Sequence, residues 1–243
     1  MDVDISYLAD RFAQLKHLAV SKDRHLDTAG VVGKPVWRDL EVLECYIDLV
    51  LALGDSDLSS LRHLVLHALP QSHIQQFTDV LARLPLRRLY VHAFLQSNGP
   101  RDIGIQRFFA RLVSSAPALQ VLEIDVHGDE MVDVALSNFV FATPLKPVRW
   151  PTNLKYLSIT SVVASLGYHI SFMLHHNLGT AARWFQAVPS LQHFSYGVAG
   201  ENPAHYTRFC SPGAGPSTIL DQIKYSLHPS KTDPGLYADY VNN

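Results

Sequence analysis

Three residues have the best claim to chemistry, because each comes directly after the same short apolar phrase. His67, His92 and Asp125 follow phrases of the form Leu-x-x-apolar-x-apolar. If these phrases form neighbouring strands in register, the three side chains lie about 4.8 Å apart from strand to strand. Two imidazoles and a carboxylate suit zinc or a non-haem metal, or a pH-sensitive contact. The outer two lie roughly 10 Å apart, so we favour hydrogen bonding to a partner over a shared ion.

Other catalytic motifs are incomplete. No G-x-S-x-G elbow presents a nucleophile, and Gly30–Lys34 lacks the spacing of a phosphate loop, with Pro35 in place of the hydroxyl residue. The pair His175 and His176 has no Cys or carboxylate beside it in sequence. We therefore predict no catalytic residues, no cofactor and no metal. A metal-binding or hydrolytic role for the His67, His92 and Asp125 cluster is kept as the alternative.

Charge and cysteine content narrow the class of protein. The chain has 243 residues with 20 Lys+Arg and 22 Asp+Glu, and its longest basic cluster is Arg83, Arg87 and Arg88. A general nucleic-acid binder needs a basic surface, so we predict no nucleic-acid partner. Only Cys45 and Cys210 are present, which favours a reducing compartment and an intracellular, cytoplasmic or nuclear protein.

Membrane insertion is not expected. The opening residues are acidic and lack the features of a signal peptide. The stretch 156–182 has no Asp, Glu, Lys or Arg, but histidines, glycines and serines interrupt it. We interpret that stretch as a buried strand followed by a loop.

A repeated phrase must position the candidate residues. The intervals between its first leucines are 25, 21, 25, 33, 35 and 37 residues. The second and third apolar residues are two apart, so on a strand both enter the core, and each unit buries its apolar edge only by stacking on its neighbours. The seven occurrences are Leu15-Leu18-Val20, Leu40-Leu43-Cys45, Leu61-Leu64-Leu66, Leu86-Leu89-Val91, Leu119-Leu122-Ile124, Leu154-Leu157-Ile159 and Leu191-Phe194-Tyr196.

Helical patterns precede several phrases. Apolar residues recur at helical spacing over 74–84, 105–113 and 180–188, and a proline ends or follows each pattern. The sequence thus predicts an α/β fold: an irregular leucine-rich-repeat solenoid of about seven repeats over residues 1–200, with a curved, mainly parallel sheet and helices on its convex side. We expect the segment 127–150 to be an inserted loop. Residues 201–243 are expected to form a loosely packed or partly disordered Pro/Gly-rich tail, with one further strand near Ile223.

Residues that flank the core leucines should face the concave side of such a solenoid, where solenoids commonly bind. Their mixture of aromatic, imidazole and charged groups suits a protein partner. The expected partner-binding residues are His63, His67, Arg88, Tyr90, His92, Glu123, Asp125, Tyr156 and His193.

Phrases that close a helix, such as Val188-Pro189-Ser190-Leu191 and Ala116-Pro117-Ala118-Leu119, resemble the repeats of fungal F-box proteins of the leucine-rich-repeat type. The resemblance covers roughly residues 5–197. It implies a ribonuclease-inhibitor-like solenoid that recruits a substrate protein to a ubiquitin ligase. An F-box, which would dock on a cullin-ligase adaptor, is not visible, because the first repeat strand arrives by Leu18. The chain is therefore expected to be a non-catalytic interaction scaffold whose F-box is supplied elsewhere, or a truncated fragment without independent function.

Overall fold

The computed structural model describes residues 3–20, 26–27, 37–54, 58–96, 104–141, 148–162, 178–199, 203–208 and 223–226. The glycine-rich stretch at 30–34, the pair His175 and His176, and most of the tail lie outside this part of the chain.

Within the described residues, helices alternate with strands. The strands are β1 (Val3–Asp4), β2 (His17–Ala19), β3 (Leu26–Asp27), β4 (Val42–Cys45), β5 (His63–Pro70), β6 (Arg88–Phe94), β7 (Val121–His127), β8 (Tyr156–Val162), β9 (His193–Val198), β10 (Ala204–Arg208) and β11 (Ile223–Ser226). The helices are α1 (Ile5–Arg11), α2 (Ile47–Leu53), α3 (Ile74–Leu81), α4 (Gly104–Ser115), α5 (Glu130–Phe141) and α6 (Leu178–Ala187). A short 3₁₀ turn, Gln71–His73, leads into α3.

Nine of the described strands form one sheet in the order β11-β10-β9-β8-β7-β6-β5-β4-β2, while β1 and β3 pair separately. Every pair from β2 to β9 is parallel, and β9-β10 and β10-β11 are antiparallel. The predicted α/β class with a mainly parallel sheet is confirmed. Because consecutive parallel strands need a crossover, the helices between them follow from the same topology.

The repeated phrase sets the register of this sheet. Its second apolar residue pairs from strand to strand, in the row Leu18, Leu43, Leu64, Leu89, Leu122, Leu157 and Phe194. From Leu43 to Phe194 these side chains are almost completely buried. The third apolar residue forms a second buried row two positions along, as the two-residue period of a strand requires.

The helices pack on the side of the sheet that these two rows face. Buried side chains of α2 to α6 join the leucine rows in one hydrophobic core. Aromatic rings link the helices to one another and to the sheet. Phe139 of α5 stacks on Phe109 of α4 with centroids 4.6 Å apart, and Trp184 of α6 stacks on Phe194 of β9 with centroids 5.0 Å apart. None of the described helices is long and apolar enough to cross a membrane.

The segment 127–150 is not simply a loop, since it contains α5. Asp129 accepts hydrogen bonds from the backbone N–H groups of Met131 and Val132 through Oδ1, at 3.0 and 2.9 Å, and so caps the helix. Val132, Ala135, Leu136, Phe139 and Val140 then recur at helical spacing and are buried. The expectation of an inserted loop is therefore corrected for residues 130–141.

The C-terminal region also contributes to the sheet. The strand expected near Ile223 is present as β11, and β10 was not expected from the sequence. Ala204 and Tyr206 of β10 are buried beside β9. Over these two strands the tail belongs to the sheet. Ala204 and Tyr206, two positions apart on β10, face the core, and Ile223 of β11 packs against it.

Candidate functional site

The face of the sheet opposite the helices, called the open face below, is lined by half-buried side chains. Burial alternates along the central strands, so that Leu89 and Val91 are buried while Arg88, Tyr90 and His92 are partly exposed. The same alternation holds in β5, β7 and β8. The nine residues predicted for partner binding all occupy the partly exposed positions of these strands or of β9.

Four of the nine lie in one register row near the amino ends of the strands. His63 pairs with Arg88, and Tyr156 pairs with His193, with Val121 between the two pairs. The rings of Tyr156 and His193 have centroids 6.1 Å apart. Burial, followed by the nearby Arg88 guanidinium, lowers the pKa of His63. His63 is therefore kept neutral at physiological pH, next to a permanent cation.

The centre of the open face holds a hydrogen-bonded cluster of Tyr90, His92 and Asp125. The Tyr90 hydroxyl donates to Oδ2 of Asp125 at 2.7 Å and also contacts Nε2 of His92. The same Nε2 lies 3.1 Å from Oδ2 of Asp125. Burial raises the pKa of Tyr90 well above its usual range, and the hydrogen bond to Asp125 adds to the effect. The phenol thus stays protonated and serves as a donor, which does not suit a nucleophile or base.

The predicted trio of His67, His92 and Asp125 is divided between two carboxylates. His92 and Asp125 are register partners on β6 and β7. The pairing of β5 with β6 shifts between Leu66 and Leu69, and Nε2 of His67 contacts Oε1 of Glu44 at 2.7 Å instead. Across the described residues, no three His, Cys, Asp or Glu side chains form a group that could hold a metal ion. The metal and hydrolytic alternatives gain no supporting geometry from this cluster.

Rings extend from this cluster across the ends of four neighbouring strands. We call this set the ring row: Tyr46, His67, His92, His127 and Phe94. Successive centroids are 5.5, 6.2, 5.4 and 4.6 Å apart. Phe94 ends the row and is 45% exposed, which is unusual for a large apolar side chain in a sheet.

Glu123 adds a second carboxylate beside the central cluster. It pairs with Tyr90 in register, two positions before Asp125. Burial raises the pKa of Glu123, and the charge of Asp125 raises it further. Burial lowers the pKa of His127, and the charge of the nearby His92 lowers it further. Desolvation thus disfavours the charged form of both groups, and the centre of the open face carries less charge than its composition suggests.

Sequence reasoning missed the carboxyl-end part of this surface. Phe94 and His127 pair with each other on β6 and β7, two positions beyond the last predicted site residues of those strands. Continuing the two-residue alternation past the end of each phrase would have identified both. Glu44 and Tyr46 occupy outward positions of the second phrase, and the register of β4 with β5, in which Cys45 pairs with Leu66, places both beside His67.

An open cleft of 630 Å³ adjoins the ring row at the carboxyl ends of β5 to β8. Phe94 and His127 line this cleft together with Gln71 and Ser72 of the 3₁₀ turn. The Oε1 atom of Gln71 accepts a hydrogen bond from the Gln96 backbone N–H at 2.6 Å. The cleft therefore continues the surface of the ring row rather than forming a separate site.

No protein-family model matches the chain, and no curated protein matches its sequence.

Proposed function

We propose that this chain is an irregular leucine-rich-repeat solenoid that binds a protein partner on its open face and catalyses no reaction. The seven leucine-aligned parallel strands, with helices between them on one side, support the repeat interpretation. Each unit buries its apolar edge against the next, which is the arrangement that stabilises a solenoid.

The observation that carries the binding proposal is the ring row. Five aromatic or imidazole rings contact one another in series on a sheet face that no described helix covers. Rings of this kind supply large contact areas at low entropic cost, and aromatic side chains are enriched at the centres of interfaces. The hydrogen bonds of Tyr90 hold the central ring in place before any partner arrives.

Affinity capture from an extract of the source cells, followed by quantitative mass spectrometry, tests this proposal. The open-face variant is His92→Ala with Phe94→Ala. The matched control is Gln75→Ala with Arg107→Ala, two exposed residues on helices α3 and α4. We expect a defined protein to be enriched by the parent and the control, and to fall roughly tenfold with the open-face variant, since interface hot spots are worth about 1.4 kcal/mol or more.

Two results would count against the proposal. If all three baits return the same proteins, the open face does not recruit them. If only the control loses the partner, binding belongs to the helical side. The ligase-receptor role implied by the resemblance to F-box proteins adds an expectation of its own, namely that a cullin-ligase adaptor is captured together with the partner.

A further inference from the structure

A row of cations runs along the amino-end rim of the sheet. Each of its residues except Arg208, which ends the antiparallel strand β10, comes directly before the outward position that opens a strand. From the second member on, each backbone N–H donates to the carbonyl of the preceding member. These hydrogen bonds measure 2.8 to 2.9 Å and join eight residues across the sheet: Lys16, Glu41, Arg62, Arg87, Gln120, Lys155, Gln192 and Arg208. Five of the eight are Lys or Arg and one is acidic. We call this set the rim row.

The charged side chains of the rim row differ in the partners they have, and at the far end Arg208 donates through Nη1 to the Pro189 carbonyl at 3.2 Å. Lys16 and Glu41 form a salt bridge of 2.8 Å and neutralise each other. Arg62 donates through Nη1 to the backbone carbonyls of Ser59 and Leu61, at 2.6 and 3.1 Å. None of the six rim-row members from Arg62 to Arg208 is acidic, so the positive charge of these members is not balanced by another member of the rim row.

Two cations among these members lack a side-chain partner in the described part of the chain. The side chains of Arg87, which is exposed, and of Lys155, which is half-buried, make no hydrogen bond or ion pair with the described residues. Arg87 also lies next to Arg62 on the adjacent strand, and like charges so placed repel each other. An anion bound along the rim row would relieve this repulsion.

The spacing of the rim-row cations predicts how the negative charges of the anion are spaced. Arg87, Lys155 and Arg208 occupy alternate places in the rim row, with Gln120 and Gln192 between them. Two strand spacings separate successive cations by about 9.6 Å, which matches three residues of an extended peptide at about 3.3 Å each. Carboxylates at every third residue of such a peptide would each meet a cation.

Charge on the rest of the open face limits the width of the ligand. Beyond the rim, Arg88 lies in the first outward row, whereas the second and third outward rows of the described strands carry Glu44, Glu123 and Asp125 and no Lys or Arg. Glu123 lies three residues along β7 from Gln120, or about 10 Å. A duplex nucleic acid is wider than this strip and would cover the carboxylates, whereas a single extended peptide fits along the rim.

We propose that the rim row binds an extended acidic segment of a protein partner, with Asp or Glu at every third position. This inference rests on the proposed function, since it assigns chemistry to part of the partner. The backbone ladder holds the cations in fixed order, and Gln120 supplies an amide donor between two of them.

Fluorescence anisotropy with the full chain and labelled peptides of about twelve residues tests the proposal, since that length spans about 40 Å of extended chain. One peptide has Glu at every third position, separated by Ser and Gly. The second has the same composition with its glutamates consecutive, and the third probe is single-stranded oligouridine. The measurements are made at about 50 mM salt, where screening of exposed charges is modest.

The decisive variant is Arg87→Glu with Lys155→Glu. Its matched control is Arg107→Glu with Arg111→Glu, which changes the net charge by the same amount at exposed positions of α4. We expect the periodic peptide to bind the parent and the control alike. We expect it to bind the rim variant roughly tenfold more weakly, which corresponds to about 1.4 kcal/mol and to two exposed ion pairs.

Several outcomes would overturn the inference. The inference is wrong if the periodic peptide does not bind the parent. It is also wrong if the rim variant and its control bind the peptide equally weakly, because net charge alone would then explain the loss of affinity. Equal binding of the two peptides would contradict the proposed spacing of one carboxylate at every third residue. Binding of oligouridine alone, if it depends on the rim row, would assign the rim row to nucleic acid. If the peptide fails while the His92 and Phe94 variant still loses its captured partner, only the rim inference falls, and the proposed function stands.

Discussion

Removal of one hydroxyl from the open face tests whether the central cluster is built as described. In Tyr90→Phe the ring stays, but Oδ2 of Asp125 loses a donor at 2.7 Å. A hydrogen bond to a charged group contributes about 1.5–3 kcal/mol when buried. The Asp125 and His92 side chains are 21% and 27% exposed, so water replaces part of the loss. We expect the free energy of unfolding to fall by about 1 kcal/mol, a factor of about five in the folding equilibrium.

Urea unfolding followed by circular dichroism measures this change, with an expected midpoint shift of about 0.3–0.5 M. Tyr46→Phe is the matched control, because Tyr46 also lies on the open face and its hydroxyl has no hydrogen-bond partner among the described residues. We expect the control to stay within about 0.3 kcal/mol of the parent, as surface substitutions usually do. Equal stabilities of the two variants would refute the hydrogen-bond assignment.

The pH dependence supplies an independent check with a definite sign. Because the pKa of Tyr90 is raised in the folded state, the unfolded chain loses its phenol proton first as the pH rises. The stability that Tyr90 contributes is therefore fully present below pH about 10 and is lost above it. The difference between parent and Tyr90→Phe should narrow in that range, and a difference that widens would contradict the assigned environment.

Two further predictions concern the core. Ser161→Ala removes the donor that reaches Oδ1 of the buried Asp133 at 2.5 Å, so we expect a loss of about 2 kcal/mol in urea unfolding. Adding Asp133→Asn should recover most of the loss, since a neutral amide is cheaper to bury than a carboxylate. In the leucine row, Leu122→Ala should cost about 3 kcal/mol, because Leu122 is fully buried between two strands. Leu18→Ala, half-exposed at the sheet edge, should cost about 1 kcal/mol or less, and equal costs would contradict a continuous core.

The sheet was predictable because one phrase sets both strand and register. Aligning the leucines of the seven phrases reproduces the parallel pairing from β2 to β9. The predicted helical patterns at 74–84, 105–113 and 180–188 correspond to α3, α4 and α6, with small differences at their ends. Helix α5 was missed because its largely apolar sequence has a weak helical period, although Asp129 marks its start.

The candidate site was predictable only where the alternation is regular. Tyr90, His92 and Asp125 follow from the phrase and the register alone. The contact of His67 with Glu44 follows from the register of β4 with β5, whereas the shift between Leu66 and Leu69 in the pairing of β5 with β6 lies beyond the phrase and could not be predicted from it. The antiparallel strand β10 lies outside the repeat altogether, so no phrase identified it.

The rim row shows why a search for basic runs fails in a chain of this kind. Arg62, Arg87 and Lys155 are separated by 25 and 68 residues in sequence, and no window along the chain contains all three. The fold places them within three steps of one backbone ladder, because each occupies the same position in its phrase. In a stacked repeat, residues that share a phrase position become neighbours, whatever lies between them in sequence. The predicted absence of a nucleic-acid partner was drawn from runs of Lys and Arg, and the rim row is a basic strip that such runs do not reveal. The carboxylates Glu123 and Asp125 in the second and third outward rows, rather than the composition, are what favour a narrow acidic peptide over a nucleic acid at this edge.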